Sequence, residues 1–353
     1  MNKQLSNKIK ISSLLLMIMV IYLHAINIKD IHGDSFYPID FISSINIFIQ
    51  NLLSQGIARI AVPLFFIIAG YLFFKEKYFT IQLYKSKLKK RLNTLVIPYI
   101  FWSFVVIVIY FTLQLLPNVS HYFNTALIIK DLSYTEILYK LFFFPINYPL
   151  WFIRDLIYIV ILSPLFFLLL KNKPLYFFPF AFFLWFYLNT GMQLSLYKEE
   201  PFLFFAIGAY IAIHQPNIAQ YKISDNKYLL FMIIYLTILL VKTYLLTFYI
   251  EVNLHILHKI SILLGIFVFW FSLDRIKFNR FLLLSHYTFL FYIFHEPMLT
   301  IVTKGGYLVF GKTALVSLIL YCIAPLIVIS ILYFMGVILK KYKFYAFVTG
   351  NRV

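Results

Sequence analysis

Long apolar runs dominate this chain and leave it few possible folds. They fall at 10–28, 56–74, 94–116, 150–170, 174–192, 201–214, 228–250, 258–273, 286–302 and 313–339 of its 353 residues. Most approach the length needed to cross ~30 Å of hydrocarbon at ~1.5 Å per helical residue. Lipid offers backbone groups no hydrogen-bond partner, so spanning segments must close their own bonds as helices. With 62% apolar and only 12% charged residues, the chain carries more hydrophobic surface than a water-soluble core can hide. The expectation is an all-α, polytopic membrane helical bundle of about ten transmembrane helices, one domain over residues 1–353. The run at 201–214 is the shortest, and no internal repeat, low-complexity linker or soluble domain interrupts the series.

Charge sets the expected orientation. With both termini cytoplasmic, 21 of the 31 Lys and Arg lie on the inner side, seven lie outside and three (Arg59, Arg154, Lys242) fall within spans, as the positive-inside rule requires. The net charge of +18 is then mainly a topology signal with some affinity for anionic membrane lipids. Basic residues interleaved with soluble aromatic platforms are missing, which argues against nucleic acid as a partner. The first run follows Lys3, Lys8 and Lys10 without a small-residue cleavage site, so it reads as a span rather than a secretory leader. A single cysteine, Cys322, excludes internal disulfides and cysteine-based metal sites, and it reads as a packing residue. The 28 Tyr, 41 Phe and 4 Trp are expected mostly at the lipid face and in interfacial belts.

Ionisable residues inside spans cost a few kcal/mol each on insertion scales and are therefore functional candidates. They are His24, Arg59, Arg154, Asp155, Lys242, His295 and Glu296. Counting along the spans puts His24, Arg59, Arg154 and His295 in the middle to outer leaflet, where four different helices can ring one cavity. Each also has a plainer reading. A histidine or arginine near a helix end can reach the headgroups, and Lys242 reads as such a snorkelling residue. Arg154 and Asp155 project about 100° apart on a helix, so they are expected to pair with other neighbours rather than with each other.

The segment 75–93, KEKYFTIQLYKSKLKKRLN, carries seven basic residues against one Glu. In a helix, Lys87, Lys90 and Arg91 would share one face, as a phosphate-rich ligand needs. An ordinary stop-transfer cluster on anionic lipid has the same composition. An intramembrane histidine with an inner-face phosphate patch suits an enzyme that uses acyl-CoA, whose pantetheine arm can reach from one to the other.

Several stretches together resemble the acyltransferase-3 family of bacterial integral membrane O-acyltransferases. They are VIYLHAIN at the end of the first span, RIAVPLFFIIAGYLFF (59–74), RLNTLVIPYIFW (91–102), PLWFIRDLIYIVILSPL (149–165) and FYIFHEPML (291–299). The resemblance covers nearly the whole chain. It implies transfer of an acyl group, usually acetyl from acetyl-CoA as co-substrate, to a hydroxyl of a cell-surface glycan or lipid-linked sugar, in the bacterial plasma (inner) membrane. By that likeness His24 matches the essential first-helix histidine, Arg59 the arginine opening the second motif, and Lys87 to Arg91 the CoA-facing basic motif. The KSKLKKR stretch departs from the family's two arginines three apart: lysine keeps the charge but loses the bidentate fork. No permanently bound cofactor or metal is expected. His24 would serve as general base or acyl relay, with Asp30, Asp34 or Glu296 to orient it and Arg59 or Arg154 to stabilise the oxyanion. A polytopic transporter or flippase for a polysaccharide or anionic substrate would use the same buried groups. A non-catalytic assembly protein would need no ionic cluster.

Overall fold

Helix α1 (Lys3–His24) stops at the histidine because Asn27, three residues on, finds its partners outside the helix. The backbone N–H of Asn27 donates to Gln50 Oε1 at 2.9 Å and not to a carbonyl one turn back. Gln50 Nε2 returns a bond to Asn27 Oδ1 at 2.7 Å and a second to Asn46 Oδ1 at 2.8 Å. Ser317 Oγ donates to Asn27 Oδ1 at 2.6 Å. All four residues are buried, so the network breaks α1 and ties its end to two other helices. Replacing Gln50 with Leu strands the Asn27 backbone N–H and the Asn46 side-chain carbonyl in an apolar site at about 1–3 kcal/mol each, while Asn27 Oδ1 keeps its bond from Ser317. The expected result is a lowered unfolding midpoint of the detergent-purified protein in thermal size-exclusion measurements.

The structure is a computed structural model that describes residues 3–33, 40–76, 78–116, 128–187, 199–214, 217, 221–249, 253–276 and 282–350, and among these there is no strand. After α1 come α2 (Phe41–Phe74) and α3 (Ile81–Gln114). Then follow α4 (Tyr134–Phe142), α5 (Trp151–Ile161), α6 (Ser163–Asn172), α7 (Pro174–Tyr187) and α8 (Glu199–His214). The chain continues with α9 (Asp225–Phe248), α10 (His255–Ser272), α11 (Thr288–Phe310), α12 (Ala314–Leu339) and α13 (Lys343–Val348). By length and composition, six of these helices can cross a membrane: α1, α2, α3, α9, α10 and α12. A seventh arises if α5 and α6, bent by 62°, form one broken span. Pro164 accounts for the bend, since it has no N–H to give the Val160 carbonyl four residues back and its ring crowds that carbonyl, so the helix breaks at Leu162 and restarts at Ser163. The other expected spans fall on α7, α8 and α11. The first two are shorter apolar helices, and α11 is broken in hydropathy by His295, Glu296 and Lys304.

Two boundaries differ from expectation. The span expected at 56–74 begins at Phe41, and the one expected at 94–116 begins at Ile81. Asn46, Gln50, Asn51 and Ser54 interrupt the apolar pattern of the first extension, but they hydrogen-bond across helices instead of to water. The basic segment of the second extension continues as helix into its span, capped by Thr80. Inside α2 a π-helical turn (Asn51–Gly56) passes into a 3-10 turn (Ile57–Ile60).

The aromatic residues correct the lipid-belt expectation in part. Trp185, Phe66, Phe204, Phe205, Phe291 and Tyr321 are fully buried. They fill two cores flanking α2, one against α5 to α8 and one against α1, α11 and α12. Cys322 departs in the other direction: it is exposed on α12 rather than packed.

Candidate functional site

Between α1, α2, α5 and α10 lies a cavity of about 570 Å³. From α1 it receives Ser13, Met17, Val20 and His24, a stripe with helical spacing. Eleven residues separate the first from the last, so the stripe covers ~16 Å along the helix axis. Helix α2 runs antiparallel and contributes Arg59 at the His24 end and Phe73 at the other. Arg91 of α3 joins the wall at this second, lysine-rich end, its guanidinium carbon 6.0 Å from the Phe73 ring centre. One chamber therefore extends from the histidine to the basic helix.

The far end carries the polar groups. Arg59, in the 3-10 turn, donates from Nε to Gln55 Oε1 at 2.9 Å, and its Nη2 bonds the same oxygen. His24 makes no hydrogen bond with another described residue and stands edge-on to two rings, Tyr148 at 6.1 Å and His295 at 5.1 Å between centroids. His295 is 0% exposed. Its Nδ1 sits 3.0 Å from the Phe291 carbonyl and 2.9 Å from that of Tyr292. Carbonyls only accept, so Nδ1 carries the proton. Nε2 is then a bare acceptor, buried and without a hydrogen-bond partner among the described residues.

At the lysine-rich end, Lys87 and Arg91 share a face as expected, whereas Lys90 is exposed on another. Lys87 Nζ bonds the Phe73 carbonyl and Glu76 and lies 4.8 Å from the Phe73 ring centre. Burial pushes the Glu76 carboxyl up, but the hydrogen bond and charge of Lys87 outweigh it and hold it below the usual carboxylate range. Glu76 is thus held toward its ionised form beside Lys87, and Arg91 is the cation that lines the chamber at this end.

Of the four groups expected to ring one cavity, His24 and Arg59 line it and His295 packs directly behind His24. Arg154 lies elsewhere, and its pairing corrects the sequence expectation. Its stem folds back so that Nε reaches Asp155 Oδ1 at 2.9 Å and Nη2 reaches it at 2.8 Å, while Nη1 donates to the Phe143 carbonyl at 2.6 Å. Glu296 follows His295 on α11 but does not line the chamber. Of the other suggested orienting carboxylates, Asp30 lies in the one-turn helix Lys29–His32 and Asp34 lies outside the described residues.

Lys242 is the clearest correction. It does not snorkel: it is 2% exposed and donates to the Gln55 carbonyl at 2.8 Å and to Ser261 Oγ at 3.1 Å. His258 Nδ1 lies 3.3 Å from the same ammonium. Lys259, the second residue of the expected 258–273 run, is buried too, 4.5 Å from the Trp185 ring centre. Sequence reasoning also missed Glu200, Tyr148 and His258, all on the chamber wall. Each sits at the edge of an apolar run, where polar residues are ordinary; the spacing of His258 and Ser261, three apart on one helix face, is the one signal that was there to be read.

Comparison with known proteins adds to this geometry. A protein-family model described as an acyltransferase domain matches residues 14–334. The succinoglycan biosynthesis protein ExoH of Rhizobium meliloti (strain 1021) is 26% identical over 171 residues, which are 48% of this chain and 45% of that relative. The chain thus spans just under half the length of the curated relative it matches. No solved structure matches. The family match begins ahead of His24, takes in all of the chamber lining except Ser13 and ends within the last long helix, and so the chain belongs to the acyltransferase-3 family.

Proposed function

We propose that this protein is a membrane O-acyltransferase that moves an acyl group, acetyl in the simplest case, from cytoplasmic acyl-CoA to a hydroxyl of a cell-envelope or exported carbohydrate. It would do so as one ten-span domain of the bacterial inner membrane with both termini inside. The observation that carries this reading is the single chamber holding His24 and Arg59 at one end and Arg91 at the other. A charged nucleotide end can stay with Arg91 at the mouth beside Lys87 while the pantetheine arm delivers the thioester to His24. The relative's part in succinoglycan biosynthesis favours a carbohydrate acceptor.

In the proposed reaction the acceptor hydroxyl gives its proton to a neutral His24 nitrogen as its oxygen bonds the thioester carbonyl carbon. The carbonyl oxygen takes up the negative charge, which Arg59 stabilises. Collapse of the intermediate breaks the carbon–sulfur bond, and the CoA thiolate recovers the proton from His24. The bare Nε2 of His295 would orient His24 and favour its transient cation, in place of the carboxylate (Asp30, Asp34 or Glu296) that the sequence suggests. Acyl transfer through His24 itself gives the same products in two steps.

Mass spectrometry of surface glycan from cells with and without the gene tests the function. The expected difference is one acyl group per modified sugar; identical glycans, or flux without covalent change, would sink the reading in favour of a transporter. The donor end has its own test. Arg91→Gln removes charge-assisted hydrogen bonds worth about 1.5–3 kcal/mol each, so KM for acyl-CoA should rise ~10- to 100-fold with kcat much less affected. Lys90→Gln, on the exposed face, should leave both constants near wild type.

A further inference from the structure

The buried ammonium of Lys242 has no place in the mechanism above, yet its bonding is complete. Ammonium nitrogen has three N–H donors and no acceptor. One goes to the Gln55 carbonyl and one to Ser261 Oγ. Ser261 donates its own hydrogen to the His258 carbonyl at 2.7 Å, so toward Lys242 its oxygen acts as the acceptor. The third N–H meets His258 Nδ1. A nitrogen that accepts from an ammonium has no proton of its own, so a neutral His258 must carry its proton on Nε2. His258 lines the chamber beside Arg59, and Nε2 has no hydrogen-bond partner among the described residues.

The same turn of α2 sets both donors. Gln55 holds Arg59 through its side-chain oxygen and Lys242 through its backbone oxygen. Arg59 and Lys242 bring two positive charges to this end of the chamber, where Glu200 is the acidic residue on the wall. The local field therefore favours an oxygen that is gaining negative charge.

We propose that Lys242 is a positioning residue that fixes His258 as its Nε2–H tautomer, making His258 and Arg59 a two-donor site for the oxyanion formed when the thioester carbonyl is attacked. The proposal rests on the acyl-transfer reading of this chamber. His258 gives a hydrogen bond and keeps its proton, so the proton balance of the reaction is unchanged: His24 takes it from the hydroxyl and returns it to the thiolate. The histidines then divide the work by tautomer, with His24 accepting and His258 donating.

The test uses the full-length protein in detergent or nanodiscs. Glutamine places an amide N–H near the position of histidine Nε2, whereas asparagine places one near Nδ1. His258→Gln should keep acyl transfer within ~5-fold of wild type. His258→Asn should lose ~10²- to 10³-fold in kcat, the usual effect of removing one oxyanion donor, with KM for acyl-CoA nearly unchanged. Nitrogen-15 histidine spectra of the wild type should show His258 protonated at Nε2 and bare at Nδ1. Lys242→Gln, which keeps an amide donor for Nδ1, should preserve that signature, and Lys242→Met should replace it with mixed tautomers. The proposal is overturned if His258→Gln, folded and monodisperse, is as inactive as His258→Asn, or if wild-type His258 is protonated at Nδ1. Wild-type protein that transfers no acyl group to any acceptor would defeat the functional reading instead, and the nitrogen spectra would still decide the tautomer.

Discussion

His24→Ala is expected to abolish acyl transfer while leaving the protein folded. Removing a positioned general base costs ~10²- to 10⁴-fold in rate, and loss of an acyl relay would cost at least as much. The structural cost should be small, because His24 makes no hydrogen bond with another described residue and α1 is terminated by the Asn27 and Gln50 network instead. Equal detergent extraction, an unchanged unfolding midpoint and transfer at background are the expected triad of results. Activity near wild type in this variant would remove His24 from the chemistry. The covalent and direct routes separate in the same assay: labelled acyl-CoA without acceptor should leave hydroxylamine-sensitive label on the wild-type protein only if His24 is acylated.

Gly208→Ala should have the largest effect on folding. Helices α2 and α8 cross so closely that a Cβ at Gly208 would fall on the Ile67 carbonyl oxygen, with Tyr71 N 2.9 Å away. From the other helix, a Cβ at Gly70 would fall on the Phe205 carbonyl oxygen, with Ala209 N at 2.9 Å. Lipid tails are as apolar as side chains, so close backbone approach supplies much of the attraction between membrane helices, and small residues permit it. Overpacking a core ordinarily costs ~1–3 kcal/mol, because side chains can turn aside. Backbone carbonyls cannot, and here the obstacles are backbone on both helices. We expect Gly208→Ala to lower the yield of monodisperse protein severely and Gly70→Ala to do likewise. By contrast Gly305→Ala, whose Cβ meets nothing within 4 Å, should be neutral. A Gly208→Ala protein with wild-type yield and melting would show that this crossing contributes little.

What was legible in the sequence tracks what a single helix can report. The apolar runs predicted helices because lipid permits no other way to satisfy a lone backbone, and the depth of His24 and Arg59 came from counting residues along them. The shared face of Lys87 and Arg91 came from helical spacing in the same way. Hydropathy failed at residues 41–55 because it scores Asn46 and Gln50 as water-seeking, when both meet Ser317 of another helix. It failed at Lys242 for the same reason: a charge far from any other in sequence lies within hydrogen-bond reach of residues from two other helices.

By itself, then, the amino-acid order determined that this is an all-helical membrane protein of the acyltransferase-3 kind, with a histidine and an arginine at matching depth. Only the tertiary structure decided that those two groups share a chamber reaching the basic helix, that Arg154 serves Asp155 instead, and that Lys242 and His258 belong beside Arg59. The reason is physical. Helix formation and depth depend on spacing along one chain segment, but a hydrogen bond between spans depends on how far each helix turns about its axis, and that is set by packing contacts such as the Gly70 and Gly208 crossing.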